Sequence, residues 1–278
     1  MLINGEFGET ISAFDRGLQY GDGLFETIAV TAGRPCLWQH HWTRLQLGCE
    51  RLGIQVPDPQ LLYQEVLREI GDQNRAVLKI ILTRGVGGRG YALPEDPQPT
   101  RVVQCFPWPD YPKEAMKNGV AVRICRTRIG QDPALAGIKH LNRLPQVMAR
   151  REWDDPAIRE GLMLDTADRV IEGTMSNLFL LKGQEVWTPD LSRCGVAGVM
   201  RGLLLKLFQE HGISVRVGDI DLPELWQADG LFLTNSLIGI WPVRELAGHR
   251  FRLGLPAQDL VQQALEYAFT PKSTDPLR

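Results

Sequence analysis

The chain has 278 residues, 44% of them hydrophobic and 23% charged, with a formal net charge of −2. That length suits one large domain or two of ordinary size, and the composition is that of a soluble globular protein. The near-neutral balance argues against a nucleic-acid or anionic-membrane partner, which a broad basic field would attract. No apolar run approaches the roughly 20 residues that span a bilayer. Only seven of the 31 positive charges are lysines. The many arginines suit planar recognition of carboxylate and phosphate, although a large share simply solvates the surface. Five cysteines (Cys36, Cys49, Cys105, Cys125 and Cys194) form no CxxC. They read as reduced thiols of a cytoplasmic protein, mostly small buried hydrophobes. No basic stretch followed by an apolar one opens the chain, so no signal peptide is expected.

Asn4-Gly5 predicts a hairpin turn after a short first strand. Residues 25–30 (FETIAV) predict a strand and Gly33 a turn. Trp42, Leu45, Cys49 and Leu52 recur at helical spacing over 40–52. Asp58 and Pro59 then supply an N-cap and a first-turn proline for a helix that Gly71 closes. Residues 76–83 and 101–106 predict strands around a loop rich in Gly and Pro. A Pro-rich stretch at 107–118 precedes a strand at 119–126. The domain boundary is placed there: one domain at 1–118, a linker at 119–130 and a second domain at 131–278. The second half predicts a helix after Asn142 and strands at 161–165, 169–172 and 175–181. A helix follows at 198–210 with Gly212 just beyond it. Strands at 213–217 and 230–234 and a helix at 256–269 complete the chain. The polar tail 270–278 is expected to fray. Regular βαβ alternation is absent, so two α/β (α+β) domains with antiparallel or mixed sheets are expected rather than a doubly wound fold.

Several motifs have ordinary readings. Residues 85–90 (GVGGRG) match GxGxxG after a strand, but prolines follow where a dinucleotide site requires a helix. A glycine loop is the better reading, with Arg84 and Arg89 available to an anion. His40 and His41 diverge by about 100° on a helix and do not chelate one ion well. HExxH, GxSxG and Walker A patterns are absent, so no metal site is expected. Gly198 opens a helix whose first N–H groups, at Val199 and Met200, suit a phosphate; every helix has such an end. Thr234, Asn235 and Ser236 follow an apolar strand and would serve equally as turn formers.

Lys139 lies in 136–144 (AGIKHLNRL) and Glu172 in 170–179 (VIEGTMSNLF). A lysine amine and a carboxylate are two groups that a pyridoxal phosphate (PLP) enzyme needs. The amine bonds the aldehyde, and the carboxylate keeps the pyridine nitrogen protonated. Most lysines are solvated, and Glu172 could equally face water at a strand end. Ile138 and Leu141 favour partial burial of Lys139, which would depress its pKa.

Taken together, these motifs resemble the fold-type IV PLP-dependent enzymes, a group holding branched-chain and D-amino acid aminotransferases and aminodeoxychorismate lyases. Residues 15–27 (DRGLQYGDGLFET) are similar to the group's N-terminal signature, and 41–45 (HWTRL) to its HxxRL. The resemblance extends from about residue 2 to residue 245. It implies a two-domain, D-amino acid aminotransferase-like architecture with PLP between the domains. It assigns Lys139 to the Schiff base, Glu172 to the pyridine nitrogen and Arg44 to the phosphate. Asn177 falls in the SNLF segment, while Val199, Met200, Asn235 and Ser236 complete the implied cofactor site. A cytoplasmic homodimer acting on a small-molecule substrate is also implied.

Residues 79–91 (KIILTRGVGGRGY) and 136–144 narrow the resemblance to the lyases. Branched-chain enzymes usually carry a tyrosine five residues after the lysine, where this chain has Leu144. The implied reaction converts 4-amino-4-deoxychorismate to 4-aminobenzoate and pyruvate in folate biosynthesis. Arg84, Arg89 and Tyr91 are the candidates to bind the substrate. The alternatives are an aminotransferase of the same fold and a non-catalytic PLP-binding protein.

Overall fold

The chain opens with β1 (Leu2–Ile3) and β2 (Glu6–Phe7), joined by Asn4 and Gly5 at φ 50° and 85°. Two successive positive φ values are what a two-residue hairpin requires, and Asn-Gly supplies them at least steric cost. A short helix, α1 (Arg16–Tyr20), follows under an Asp15 cap. Next come β3 (Gly23–Thr31), β4 (Arg34–Pro35), α2 (Trp38–Leu52), α3 (Pro59–Ile70), β5 (Arg75–Thr83) and β6 (Thr100–Phe106). The α3 boundaries follow the sequence signals: the Asp58 carboxylate accepts from Leu61 N at 2.7 Å, Pro59 starts the helix and Gly71 ends it. The six strands form one antiparallel sheet in the order β2-β1-β6-β5-β3-β4. Ile28, Leu78, Ile80 and Leu82 from the sheet, with Leu45 and Cys49 from α2 and Leu62 and Val66 from α3, are buried.

The computed structural model describes residues 1–112, 114–254 and 258–270. Contacts divide the chain into two units. The first is Met1–Pro109 with Ile138–Asn142 and the chain from Phe269; the second is Asp110–Gly137 with Arg143–Ala268. The second unit comprises α4 (Ala115–Asn118), β7 (Val120–Ile129), α5 (Leu144–Arg150), β8 (Ile158–Asp165), β9 (Val170–Gly173), β10 (Asn177–Lys182), β11 (Glu185–Pro189), α6 (Val199–Glu210), β12 (Val215–Gly218), α7 (Leu222–Trp226), β13 (Gly230–Asn235), β14 (Gly239–Leu246), β15 (His249–Arg250) and α8 (Gln258–Phe269). Its nine strands make a mixed sheet, β12-β11-β10-β13-β14-β7-β8-β9, with β15 on β14. The pairs β11–β12, β14–β7 and β7–β8 are parallel.

Alternation along the central strands feeds two cores. Leu178, Leu180, Leu231, Leu233 and Trp241 join one, with Leu225 of α7. Phe179, Phe232 and Ile240 join the other, with Leu204 and Phe208 of α6 and Val261 of α8. Residues 119–130, expected as a linker, carry β7, which pairs with β14 on one side and β8 on the other. The excursion Ile138–Asn142 belongs to the first unit. β14 escaped the sequence reading because Pro242 sits mid-strand, where proline argues against a strand. The start of the helix expected at 256–269 and all of the polar tail after Thr270 lie outside the described residues.

Phe179 is fully buried, stacked on Phe232 at 4.8 Å and edge-on to Phe208 at 6.3 Å. Phe179→Ala is expected to cost about 3–5 kcal/mol, read as a lower urea midpoint with an unchanged slope.

Candidate active site

Lys139 belongs to the first unit, on a segment that runs antiparallel to the start of β3. Phe25 N donates to Lys139 O, and Leu141 N to Gly23 O, both at 2.9 Å, while His140 bridges Leu24. The backbone of Lys139 is therefore fixed by a strand although the segment itself is irregular. Its Nζ lies 4.4 Å from the centroid of the Phe25 ring, a face that attracts an ammonium group. The side chain is half-buried.

The next residue of β3, Glu26, faces α2. His41 and Arg44, three residues apart, lie on one helix face and both converge on it. Arg44 Nε donates to Glu26 Oε1 at 2.8 Å, Arg44 Nη2 bonds Oε2, and His41 Nδ1 lies 2.6 Å from Oε2. Burial alone would raise the Glu26 carboxyl. The Arg44 charge and the bonds from His41 and Arg44 outweigh it and hold the group at about 2. Burial lowers the His41 pKa, against the pull of Glu26. An anionic Glu26 accepts only, so a neutral His41 must donate through Nδ1, leaving Nε2 as an acceptor. The arginine of HxxRL is thus clamped in a fixed fork.

Arg84 is not available to a substrate. It is 4% exposed. Its Nε and Nη2 bond the Asp22 carboxylate, and Nη1 and Nη2 donate to Gly53 O and Leu52 O at the end of α2. It is a structural arginine that closes a helix C-terminus. Arg89 is exposed and is the one cation of the loop 85–92. Tyr91 is 86% exposed, with its ring edge-on to Tyr20 at 5.6 Å. Arg16, buried under the same loop, donates to Gly90 O and Ala92 O, and Gly90 N donates to Tyr20 Oη. No helix follows Gly90, so the GxGxxG match lacks the context of a dinucleotide site.

In the second unit Glu172 is the penultimate residue of β9, 4% exposed. Its Oε2 accepts from Val196 N at 2.8 Å and its Oε1 from Gln146 Nε2 at 3.4 Å. Arg143 and Arg201 both feel its charge. Gly195, at φ 87°, is needed beside it, because a Cβ there would lie 2.8 Å from Leu191 Cδ2 and 2.9 Å from Ile171 Cγ2. Asn177, at the start of β10, grips the same loop. Its Nδ2 donates to Val196 O at 2.8 Å and its Oδ1 accepts from Gly198 N at 3.0 Å. Gly198 is the N-cap of α6 and provides no side-chain cap, so the Val199 and Met200 N–H groups have no intrahelical acceptor. Both of those side chains are core; only their backbones can serve an anion.

Asn235 is committed. Its Nδ2 donates to Met175 O, and its Oδ1 accepts from Leu237 N and Ile238 N. Like Asn177, it braces a loop instead of offering its amide to a ligand. Ser236 heads the β13–β14 turn and is half-buried. Glu26 and Arg143 lie within quoted motifs that gave them no role, and Gln146 and Val196 carry no sequence signal of their own. Their place becomes visible only within each folded unit, where Glu26 meets Arg44 in the first and Gln146 and Val196 meet Glu172 in the second.

Each unit by itself holds groups of the kind PLP requires: an amine against an aromatic ring and an oriented arginine in the first, a buried carboxylate and an uncapped helix start in the second. Residues 23–246 match the profile described as amino-transferase class IV. The chain belongs to that family. It is 36% identical to an aminodeoxychorismate lyase of Vibrio harveyi, over 94% of this chain and 96% of that one. It is 31% identical to a putative branched-chain-amino-acid aminotransferase of Methanocaldococcus jannaschii, over 89% and 88%. A crystal structure of 4-amino-4-deoxychorismate lyase from Pseudomonas aeruginosa, 47% identical, superposes with a TM-score of 0.91 over 95% of this chain and 97% of that one. Among the described residues, no helix is long and apolar enough to cross a membrane, and no group of three His, Cys, Asp or Glu could hold a metal ion.

Folding depresses the Glu26 carboxyl from 4.5 to about 2, which is worth roughly 3 kcal/mol. That stability is present above pH 4.5 and is lost as pH falls towards 2. Urea midpoints of the wild type and Glu26→Gln should therefore differ at pH 6 and converge at the acid end of that window; a gap constant with pH refutes the assignment. Arg84→Ala should unfold at a lower urea concentration, by roughly 2–4 kcal/mol, because it strands Asp22 and two helix-end carbonyls. Wild-type stability with a raised KM would return Arg84 to the substrate.

Proposed function

We propose that this chain is a PLP-dependent lyase converting 4-amino-4-deoxychorismate to 4-aminobenzoate and pyruvate, acting as a cytoplasmic homodimer. One observation carries the cofactor reading. Glu172 and Asn177 hold opposite sides of the loop that starts α6, tying a buried anion to an uncapped helix end by a few bonds. A pyridine ring with a phosphate needs that pairing. The likeness to two lyases, from Vibrio harveyi and Pseudomonas aeruginosa, supports the substrate.

When bound, the cofactor supplies an electron sink for the charge developed on the substrate. Glu172 would hold a proton at the pyridine nitrogen. Arg44, the Val199 and Met200 N–H groups and Ser236 would hold the phosphate. Lys139 Nζ would hold the cofactor's aldehyde and be released as the substrate amine binds. The freed amine then removes the proton from the amine-bearing carbon, and the C–O bond on the neighbouring carbon breaks. The same amine delivers a proton to the departing enol, which becomes pyruvate. The six-membered ring left behind is aromatic, so the step runs downhill. Arg89 and Tyr91 bind the substrate.

An aminotransferase is the second reading, favoured by the likeness to the Methanocaldococcus jannaschii protein; it would use Lys139 and Glu172 alike. Leu144, 68% exposed and without a donor, argues for the lyase. A non-catalytic PLP-binding role would not need a buried carboxylate at the ring nitrogen.

The deciding assay supplies 4-amino-4-deoxychorismate formed in situ, PLP and no keto acid. Equal amounts of 4-aminobenzoate and pyruvate are expected. Lys139→Ala should lower turnover by about 1,000-fold or more, and Glu172→Gln should retain cofactor yet slow turnover. Amino-group transfer that requires a keto acid would establish the second reading instead.

A further inference from the structure

Glu160, on β8, is 1% exposed and has no arginine or lysine bridged to it among the described residues. Five donors surround its carboxylate. Gly161 N, Thr174 N and Thr174 Oγ1 bond Oε1 at 2.8, 3.0 and 2.5 Å; Met175 N and Ser176 Oγ bond Oε2 at 3.1 and 2.8 Å. A carboxylate buried without a cation is costly unless its lone pairs are filled. Here four donors from the turn 174–176 between β9 and β10, with Gly161 N of β8, fill them. β8 overruns β9: Leu162 pairs with Gly173 and Met163 with Glu172, so Glu160 lies two residues beyond the last pair. The turn folds over it, and Gly173 is required there because a Cβ would lie 2.3 Å from Ser176 Oγ and 2.8 Å from Glu160 Oε2.

That turn separates Glu172 from Asn177. The two side chains hold Val196 and Gly198. The turn also accepts the third brace, since Met175 O takes the Asn235 amide. Three groups that set the α6 start and the 235–238 turn therefore depend on one loop of four residues. We propose that Glu160 is a positioning residue for the cofactor site: an anionic template on which the β9–β10 turn forms, fixing Glu172, Asn177 and Asn235 relative to one another. The proposal rests on the PLP reading above. Glu160 touches neither cofactor nor substrate; it acts through the turn.

The test is the dissociation constant for PLP of the full-length protein stripped of cofactor, with circular dichroism and the thermal midpoint measured beside it. Glu160→Gln keeps the shape but turns an amide NH₂ towards donors. It is expected to retain the wild-type dichroism and to weaken PLP binding about tenfold or more. Wild-type affinity, whatever the thermal midpoint, would make Glu160 a residue of the fold alone and overturn the proposal. If Glu160→Gln does not fold, Thr174→Val with Ser176→Ala removes two of the five donors and leaves the carboxylate. A loss of about threefold or more then supports the proposal, and wild-type affinity overturns it. Wild-type protein that takes up no PLP overturns the cofactor reading itself, a result that a loss confined to the variants cannot imitate.

Discussion

Burying a carboxylate is the constraint on which much of this structure turns, and Glu26, Glu160 and Glu172, three of the four buried glutamates among the described residues, show how the chain does it. An isolated one would cost several kcal/mol, so each interior carboxylate dictates what surrounds it. Glu26 recruits Arg44 and His41 from one helix face. Glu160 recruits a turn, using five N–H and O–H groups and no cation. Glu172 takes one backbone N–H from Val196, an amide from Gln146 and the fields of Arg143 and Arg201. The first orients an arginine and the second shapes a loop. On the proposed reading, the third faces the ring nitrogen of the cofactor.

The parts legible in the sequence are those whose cause is local. Asn4-Gly5 carries its own hairpin geometry, and Asp58, Pro59 and Gly71 mark α3 without tertiary help. The order of Lys139, Glu172 and the α6 start was legible as a motif set. What each side chain does there was less so. Asn177 and Asn235 occupy motif positions, yet both amides are used to hold loops. Arg84 follows a strand and precedes a glycine loop, which in sequence reads as an anion ligand. Its partners Asp22 and Gly53 lie 62 and 31 residues away and no pattern announces them. Glu160 was invisible for a related reason: most of what it bonds is backbone, which has no letter in the sequence.

The sulfur chemistry follows the same logic of burial. Cys36, Cys49, Cys125 and Cys194 are buried and none of the five cysteines is disulfide-bonded. Burial pushes the Cys49 and Cys125 thiols up to about 12, so at neutral pH they are inert and serve packing. On the proposed reading the nucleophile is a nitrogen instead: Lys139, fixed by strand bonds and set against an aromatic face.

Asp22 links that amine to the glycine loop inside the first unit. Burial would raise its carboxyl, but bonds and charge from Arg84 and Arg16 hold it low, so the carboxylate sits between two arginines. Through Arg84 it closes the end of α2, and through Arg16 it braces the backbone of Gly90 and Ala92. Its neighbours Gly23 and Phe25 pair with the Lys139 segment. The Asp22 carboxylate thus braces the loop that carries Arg89 and Tyr91, and the strand that pairs with the Lys139 segment starts at the next residue. Arg84, which in sequence looks like a ligand, is spent on that brace and on the end of α2.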